Sequence, residues 1–186
     1  MMIDELTSDE QLVQQIQTGS SEAMSILYRR HRPAILRYVQ ARIYPHDLQQ
    51  AQDITGEIFL RMVAYLPQYQ ITGAPFTAWL FRIAHNIVIT YRQQESRLSL
   101  APISDADNHS HPQDNPARLV ENKLEMDWIW QGLQELDESQ REVIVLRFLI
   151  GLSLKEVAHV LDKHVGTIKT LQHRGILALR IVLQTA

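Results

Sequence analysis

Lys169, Thr170, Gln172, His173 and Arg174 crowd into one short stretch near the end of the chain. Their ammonium, hydroxyl, amide, imidazole and guanidinium groups suit recognition better than bond breaking. Such groups hydrogen-bond phosphate oxygens and the exposed edges of bases. From Lys163 onward the chain has four basic residues and no acid, although its overall net charge is −3. Affinity for an anionic ligand is therefore expected to be local. A second constellation is Asp53 and Glu57, four residues apart, with Arg61 four further on. The two like charges would share one helix face, which costs a few tenths of a kcal/mol in an isolated helix. A third is Asn86, one helical turn after Arg82. Asparagine in mid-helix competes with the backbone, so its presence there asks for a reason.

The elements that must carry the first set are legible. Ser153-Leu-Lys-Glu156 has capping-box spacing and predicts a short helix over Leu154–Leu161. Val157, Ala158 and Leu161 fall on one face of it, with Ala158 small where a second helix must cross. Asp162-Lys163-His164 forms the turn, and Asp tolerates a left-handed backbone better than most residues. A longer helix follows from about Val165. Ile168, Leu171 and Leu179, with Ile176 or Ile181, are expected to be its buried stripe. The polar set then faces outward, as in a helix-turn-helix whose second helix enters a major groove. A helical hairpin that merely packs would show the same apolar pattern.

Charge is distributed unevenly. Residues 67–97 carry three basic residues and one acid, residues 98–136 two and seven, and residues 137–186 seven and five. An acidic middle separates two mildly basic pieces, so any DNA contact is divided between them. The chain has no cysteine, which excludes disulfides, thiol catalysis and Cys-type zinc sites. Its start, Met-Met-Ile-Asp-Glu, is expected not to be a signal peptide, and no apolar run approaches a membrane span. A soluble, cytoplasmic protein is expected.

The periodicity is helical nearly throughout and predicts an all-α fold of two small domains, 8–97 and 118–186. Ser8-Asp9 opens a first helix with Leu12, Val13 and Ile16, ended by Gly19. Ser20 or Ser21 opens a second, bearing Ala23, Ile26, Leu27, Ala34, Ile35, Tyr38, Val39 and Ile43, with a kink or break expected at Pro33. Ile54, Ile58, Met62 and Tyr65 form the stripe of a third, over about 48–66. Pro67–Pro75 is a loop, and Phe76 begins a fourth helix. Phe76, Trp79, Leu80, Ile83, Ala84, Ile87 and Tyr91 are expected inside, with Ala78, Arg82, His85, Asn86 and Ile89 directed elsewhere. Residues 98–117 hold three prolines and three aspartates and read as a flexible linker. Asp137 resembles another helix start.

The stretch AQDITGEIFLRMVAYLPQY followed by PFTAWLFRIAHNIVITYR resembles the second conserved region of bacterial sigma factors of the extracytoplasmic-function group. LDESQREVIVLRFLIGLSLKEVAHVLDKHVGTIKTLQHRGILALR resembles that group's fourth region. The resemblance covers nearly everything outside the linker, in the family's order. It implies a subunit of RNA polymerase that confers promoter recognition. Asp53, Thr55, Glu57 and Arg61 match positions that dock on the clamp helices of the polymerase largest subunit. The loop entering the fourth helix matches the pocket that captures an unstacked base of the −10 element, from Gln68 and Tyr69 to Phe76. Trp79, Arg82, His85, Asn86 and Arg92 follow on the helix against melted DNA. His164, Val165, Gly166, Thr167, Lys169, Thr170, Gln172, His173 and Arg174 match the segment that reads the −35 duplex. Thr90, Arg92, Gln93 and Gln94 depart from the arginine-rich run that often follows the Asn helix.

The partners this implies are core polymerase, including its flap region, promoter DNA and an anti-sigma factor. No catalytic residue, cofactor or metal is expected. The linker histidines His109 and His111, and the His46-Asp47 pair, lack the companions an active site needs. The competing reading is a stand-alone helix-turn-helix regulator, for which the acidic face and the loop before the Trp helix would be idle.

Overall fold

The structure is a computed structural model that describes residues 7–43, 48–71, 73–98 and 129–185. Among these residues there is no strand. Helix α1 spans Asp9–Gln17, α2 Ser21–Ile43, α3 Leu48–Tyr65 and α4 Phe76–Leu98, with a 3₁₀ turn at Leu66–Gln68 after α3. Helix α5 covers residues 129–134, and α6 is Glu138–Ile144, followed by a π-helical turn at Val145–Leu149. Helices α7, Leu154–Leu161, and α8, Val165–Thr185, complete the chain. The linker 98–117, His46-Asp47, His109 and His111 lie outside the described residues, apart from the helical backbone of Leu98.

Local chemistry sets the helix starts. Ser8 and Gln11 form a reciprocal capping box, with Ser8 Oγ accepting from the Gln11 amide at 3.3 Å and Gln11 Oε1 from the Ser8 amide at 3.1 Å. Ser153 and Glu156 do the same for α7, at 3.3 Å and 2.7 Å. Each such cap contributes about 1 kcal/mol. Asp137 opens α6 by accepting from the Ser139 amide at 2.9 Å. Asp162 ends α7 at φ +51°, in the left-handed region, so the turn between α7 and α8 closes without glycine. Helix α2 continues through Pro33, which removes one backbone donor.

Helices α1 to α4 pack around Leu12, Leu27, Ile35, Ile58, Met62, Leu80 and Phe81. Asp9 fastens α1 to α2, meeting Arg30 at 2.6 Å and His31 Nε2 at 2.8 Å. Burial alone would raise the Asp9 carboxyl; hydrogen bonds and charge from His31 and Arg30 hold it below its ordinary value. Helices α6 to α8 enclose Val143, Leu146, Val157 and Ile168. Arg141 is buried and gathers the carbonyls of Leu133, Gln134 and Leu136, satisfying the end of α5.

Several expected faces are rotated. Tyr65 is exposed, and Phe59 takes the buried place on α3. Ala78 is fully buried, as are Phe81 and Val88, because α4 packs against α1, α2, α3 and α7 at once. On α8 neither Ile176 nor Ile181 is inside; both are exposed. The stripe is Ile168, Leu171, Gly175 and Leu179. Gly175 sets the approach of α6 to α8. A Cβ there would lie 2.8 Å from Ile144 Cγ1 and 3.4 Å from Gln140 Cβ. Gly175→Val should therefore destabilise the second body by about 1–3 kcal/mol through overpacking. Thermal denaturation of the variant measures this; an unchanged midpoint would mean that Ile144 can step aside.

Candidate nucleic-acid interface

Helix α8 presents Thr167, Lys169, Thr170, His173 and Arg174 to solvent, with His164 and Gly166 exposed at its start. Val165 is half-buried at its first turn. Ile168 is fully buried beneath them and fixes the rotation of the helix. Gln172 is half-buried and accepts from Arg147 Nε at 2.9 Å, so in this arrangement it braces α8 against the π-helical turn that follows α6. The outward set carries donors in both point-charge and forked geometry, which suits phosphates and guanine edges.

The loop into α4 is built differently. Tyr69, Phe76 and Trp79 form an aromatic cluster with centroid separations of 4.8 to 5.8 Å. Phe76 is fully buried and supports the cluster from beneath, so its ring is not presented to a ligand. Gln17, from the end of α1, donates to the carbonyls of Leu66 and Tyr69 at 3.0 Å each and holds the loop's shape. Over the cluster lies a pocket of about 210 Å³ lined by Gln68, Tyr69, Gln70, Ala74, Trp79 and His159. Tyr69 Oη is buried and has no hydrogen-bond partner among the described residues. Leaving such a group unpaired costs about 1–3 kcal/mol, and burial together with the charges of Glu10 and Asp9 on α1 raises its pKa. Nothing in the sequence near the loop pointed to Gln17, whose side chain bridges some fifty residues.

Along α4, Asn86 is exposed, while Arg82, His85 and Arg92 are only partly so. On α3, Asp53 and Glu57 are exposed, the first accepting from Gln49 at 3.0 Å and the second facing Arg61 at 3.8 Å. Leu60 and Val63 stand exposed on the same helix, an apolar companion to the acids that the sequence reading missed. Thr55 departs from expectation. It is buried, and its hydroxyl donates to the Ala51 carbonyl at 2.7 Å, so it cannot meet a partner at the surface.

The two bodies meet through a charged network that was not anticipated. Arg42 of α2 is almost fully buried and pairs with Glu138 and, from Nε, with Glu142 Oε2 at 2.7 Å. The second contact is close but poorly aligned, and neither atom makes a hydrogen bond among the described residues. Tyr38 Oη donates to Glu142 Oε1 at 2.6 Å, and His85 Nδ1 lies 3.1 Å from the same oxygen. Arg92 joins Glu138 from α4. One signal existed: Arg42 continues the buried spacing of Ile35, Tyr38 and Val39, a place for an apolar residue.

Both carboxyls are shifted. Burial would raise Glu138, but the hydrogen bond from Arg92 and the charge and bond of Arg42 hold it at about 2. Burial would likewise raise Glu142, yet the hydrogen bond with His85, the charges of Arg42 and His85 and the bond from Tyr38 keep it below its ordinary value. A carboxyl depressed on folding contributes stability above its ordinary pKa and loses it as pH falls toward the depressed value. The joined state should therefore weaken from about pH 4.5 down toward 2. Small-angle scattering across that range should show expansion; unchanged dimensions there would exclude these carboxylates as the cause.

With these sites in view, comparison with known proteins decides the family. Sigma-70 region 2 matches residues 27–98, and Sigma-70 region 4 matches residues 132–180. The chain belongs to the sigma-70 family. It is similar to the ECF RNA polymerase sigma factor BldN of Streptomyces coelicolor, 32% identical over 93% of this chain and 65% of that protein. It is also similar to the ECF RNA polymerase sigma factor ShbA of Streptomyces griseus, 29% identical over 99% of this chain and 100% of that one. A solved structure of CnrH in complex with the cytosolic domain of CnrY matches with a TM-score of 0.74 at 26% identity, covering 98% of this chain and 99% of that one. The ECF group is therefore this sigma factor's place in the family. Among the described residues no helix is long and apolar enough to cross a membrane.

Proposed function

We propose that this sigma factor binds core RNA polymerase and directs initiation at promoters read in two places. Residues 8–97 form the part that docks on core and holds the melted −10 strand; residues 118–186 form the part that reads the −35 duplex. Lys169, His173 and Arg174 grip phosphates and base edges in the major groove, with Thr167 and Thr170 beside them. The aromatic pocket of Tyr69 and Trp79 takes an extruded base. Unpairing costs a few kcal/mol, offset by stacking on the aromatic rings and by hydrogen bonds to the pocket's polar groups. The aromatic pocket of Tyr69 and Trp79, with the amides of Gln68 and Gln70 in its lining, is the observation that supports the strand-capture reading.

The work assigned to these groups is recognition and strand separation. Core polymerase contacts are assigned to the acidic face of Asp53 and Glu57 with the exposed Leu60 and Val63 beside it. CnrH was solved with the cytosolic domain of a second protein, and an anti-sigma factor is the corresponding expectation for this chain. The test is initiation in vitro with purified core polymerase on a library of promoter fragments. Promoter-specific transcripts that depend on the protein are expected. Tight duplex binding by the protein alone, with no stable core complex, would instead establish the stand-alone regulator.

A further inference from the structure

Helix α1 is the one element of the first body to which the proposed function gives no task. It is nine residues long and is fixed along its length. At its start Asp9 meets Arg30 and His31 of α2. Leu12 and Val13 are buried beneath it. At its end Gln17, an exposed residue, sends its side chain to the loop that enters α4. The single amide nitrogen carries two hydrogens and donates to two carbonyls, Leu66 and Tyr69, at 3.0 Å each. These oxygens bracket the 3₁₀ turn Leu66–Gln68. The turn's own closing bond runs from the Tyr69 amide to the Leu66 carbonyl at 3.1 Å. Hydrogen-bond geometry in such turns is poorer than in an α-helix, so an outside clasp matters to their shape.

The Tyr69 carbonyl is the more informative acceptor. Tyr69 is extended, at φ −65° and ψ 130°. A peptide unit is planar, so fixing that oxygen also fixes the Gln70 amide and the direction in which the chain leaves Tyr69. Gln68, Tyr69 and Gln70 all line the pocket with Trp79, whereas Gln17 does not. We propose that Gln17 is a positioning residue for base capture. By clasping Leu66 and Tyr69 it holds the polar groups of Gln68 and Gln70 at one spacing toward an extruded base, and so sets which base the pocket prefers. The inference rests on reading this pocket as the strand-capture site. Hydrogen-bonding groups discriminate strongly only when held to a fraction of an ångström, which a surface loop does not do unaided. Helix α1 thereby takes part in promoter choice from behind the loop.

Three substitutions separate hydrogen-bond donors from bulk. Gln17→Met keeps the length of the side chain and removes both donors. Gln17→Glu sets carboxylate oxygens against two carbonyls. Gln17→Lys restores N–H donors on a stem of similar reach. Gln17 is exposed, so none of them opens a cavity, and melting temperatures should stay close to the parent's. Each full-length variant is assembled with core polymerase, and opening is timed on a promoter from the fragment library carrying all four bases in turn at each melted −10 position. At the position of strongest preference, Gln17→Met and Gln17→Glu should reduce that preference about five-fold or more, while Gln17→Lys retains it. Core affinity and −35 duplex binding should match the parent's in all three. Should Gln17→Met prove unstable, the contrast of Gln17→Glu with Gln17→Lys gives the same reading. Parental preference in both Gln17→Met and Gln17→Glu, or opening slowed equally on all four bases, overturns the proposal. Failure of the functional reading looks different: the parental holoenzyme then gives no promoter-specific initiation, or no base preference in the melted strand.

Discussion

Asp53→Arg combined with Glu57→Arg should reduce affinity for core polymerase at least ten-fold while lowering the melting temperature only slightly. Both side chains are exposed on α3, where Gln49 hydrogen-bonds Asp53 and Arg61 faces Glu57. Exposed pairs of this kind contribute less than about 1 kcal/mol to folding. The reversal keeps a like-charge pair at 53 and 57 and turns the Glu57–Arg61 attraction into a repulsion, a cost of only a few tenths of a kcal/mol to the helix. Across an interface the change is larger, because each substitution converts an attraction into a repulsion. A ten-fold loss corresponds to about 1.4 kcal/mol, a modest demand on two reversed charges. Fluorescence anisotropy against purified core, alongside thermal denaturation, checks both halves. Unchanged core affinity would remove the acidic face of α3 from the interface.

Asn86→Ala should slow promoter opening by about ten-fold and leave core affinity intact. The side chain is exposed on α4, a turn beyond Arg82 and clear of the buried stripe, so truncation removes no packing. What is lost is an amide able to donate and accept, and one such bond in a partly desolvated site is worth about 1–3 kcal/mol. Permanganate footprinting of the melted region, read against a core-binding titration, separates the two effects. Equal loss of opening and core binding would mean that Asn86 supports the fold or the docking face and does not touch the separated strand.

Short-range chemistry made the helix starts readable. Ser8, Asp137 and Ser153 announce helices because an N-cap needs only a side-chain oxygen within three residues, and Asp162 could be placed in a left-handed turn for a similarly local reason. Helix faces were harder. Tyr65, Ile176 and Ile181 obey helical spacing and are nonetheless exposed, since periodicity allows a wider stripe than one neighbour covers. Ala78 and Phe81 are buried because α4 has neighbours on several sides, a property of the assembly. Gly175 offered no apolar signal, yet it decides how closely two helices approach.

The site divides along the same line. The outward residues of α8 and the exposed acids of α3 stand where spacing put them. Thr55 and Phe76 match the family by position but are inside, one bonded to its own helix and the other under the aromatic pocket. Arg42, Glu138 and Glu142 were missed because each meets its partner across roughly a hundred residues of sequence. A buried arginine on an apolar stripe is visible in the sequence; the carboxylates that make it tolerable are not.

Helix α8 runs unbroken for 21 residues, a rod of about 30 Å at the usual rise. Its first half carries the groove-facing polar groups, and its second half exposes Ile176, Leu177 and Ile181. The two halves turn together: rolling the rod to suit a new base sequence also re-aims that outer aliphatic ridge. Sequence preference and whatever grips the ridge must then evolve in step, and a change of promoter taste carries a cost at the far end of the lever.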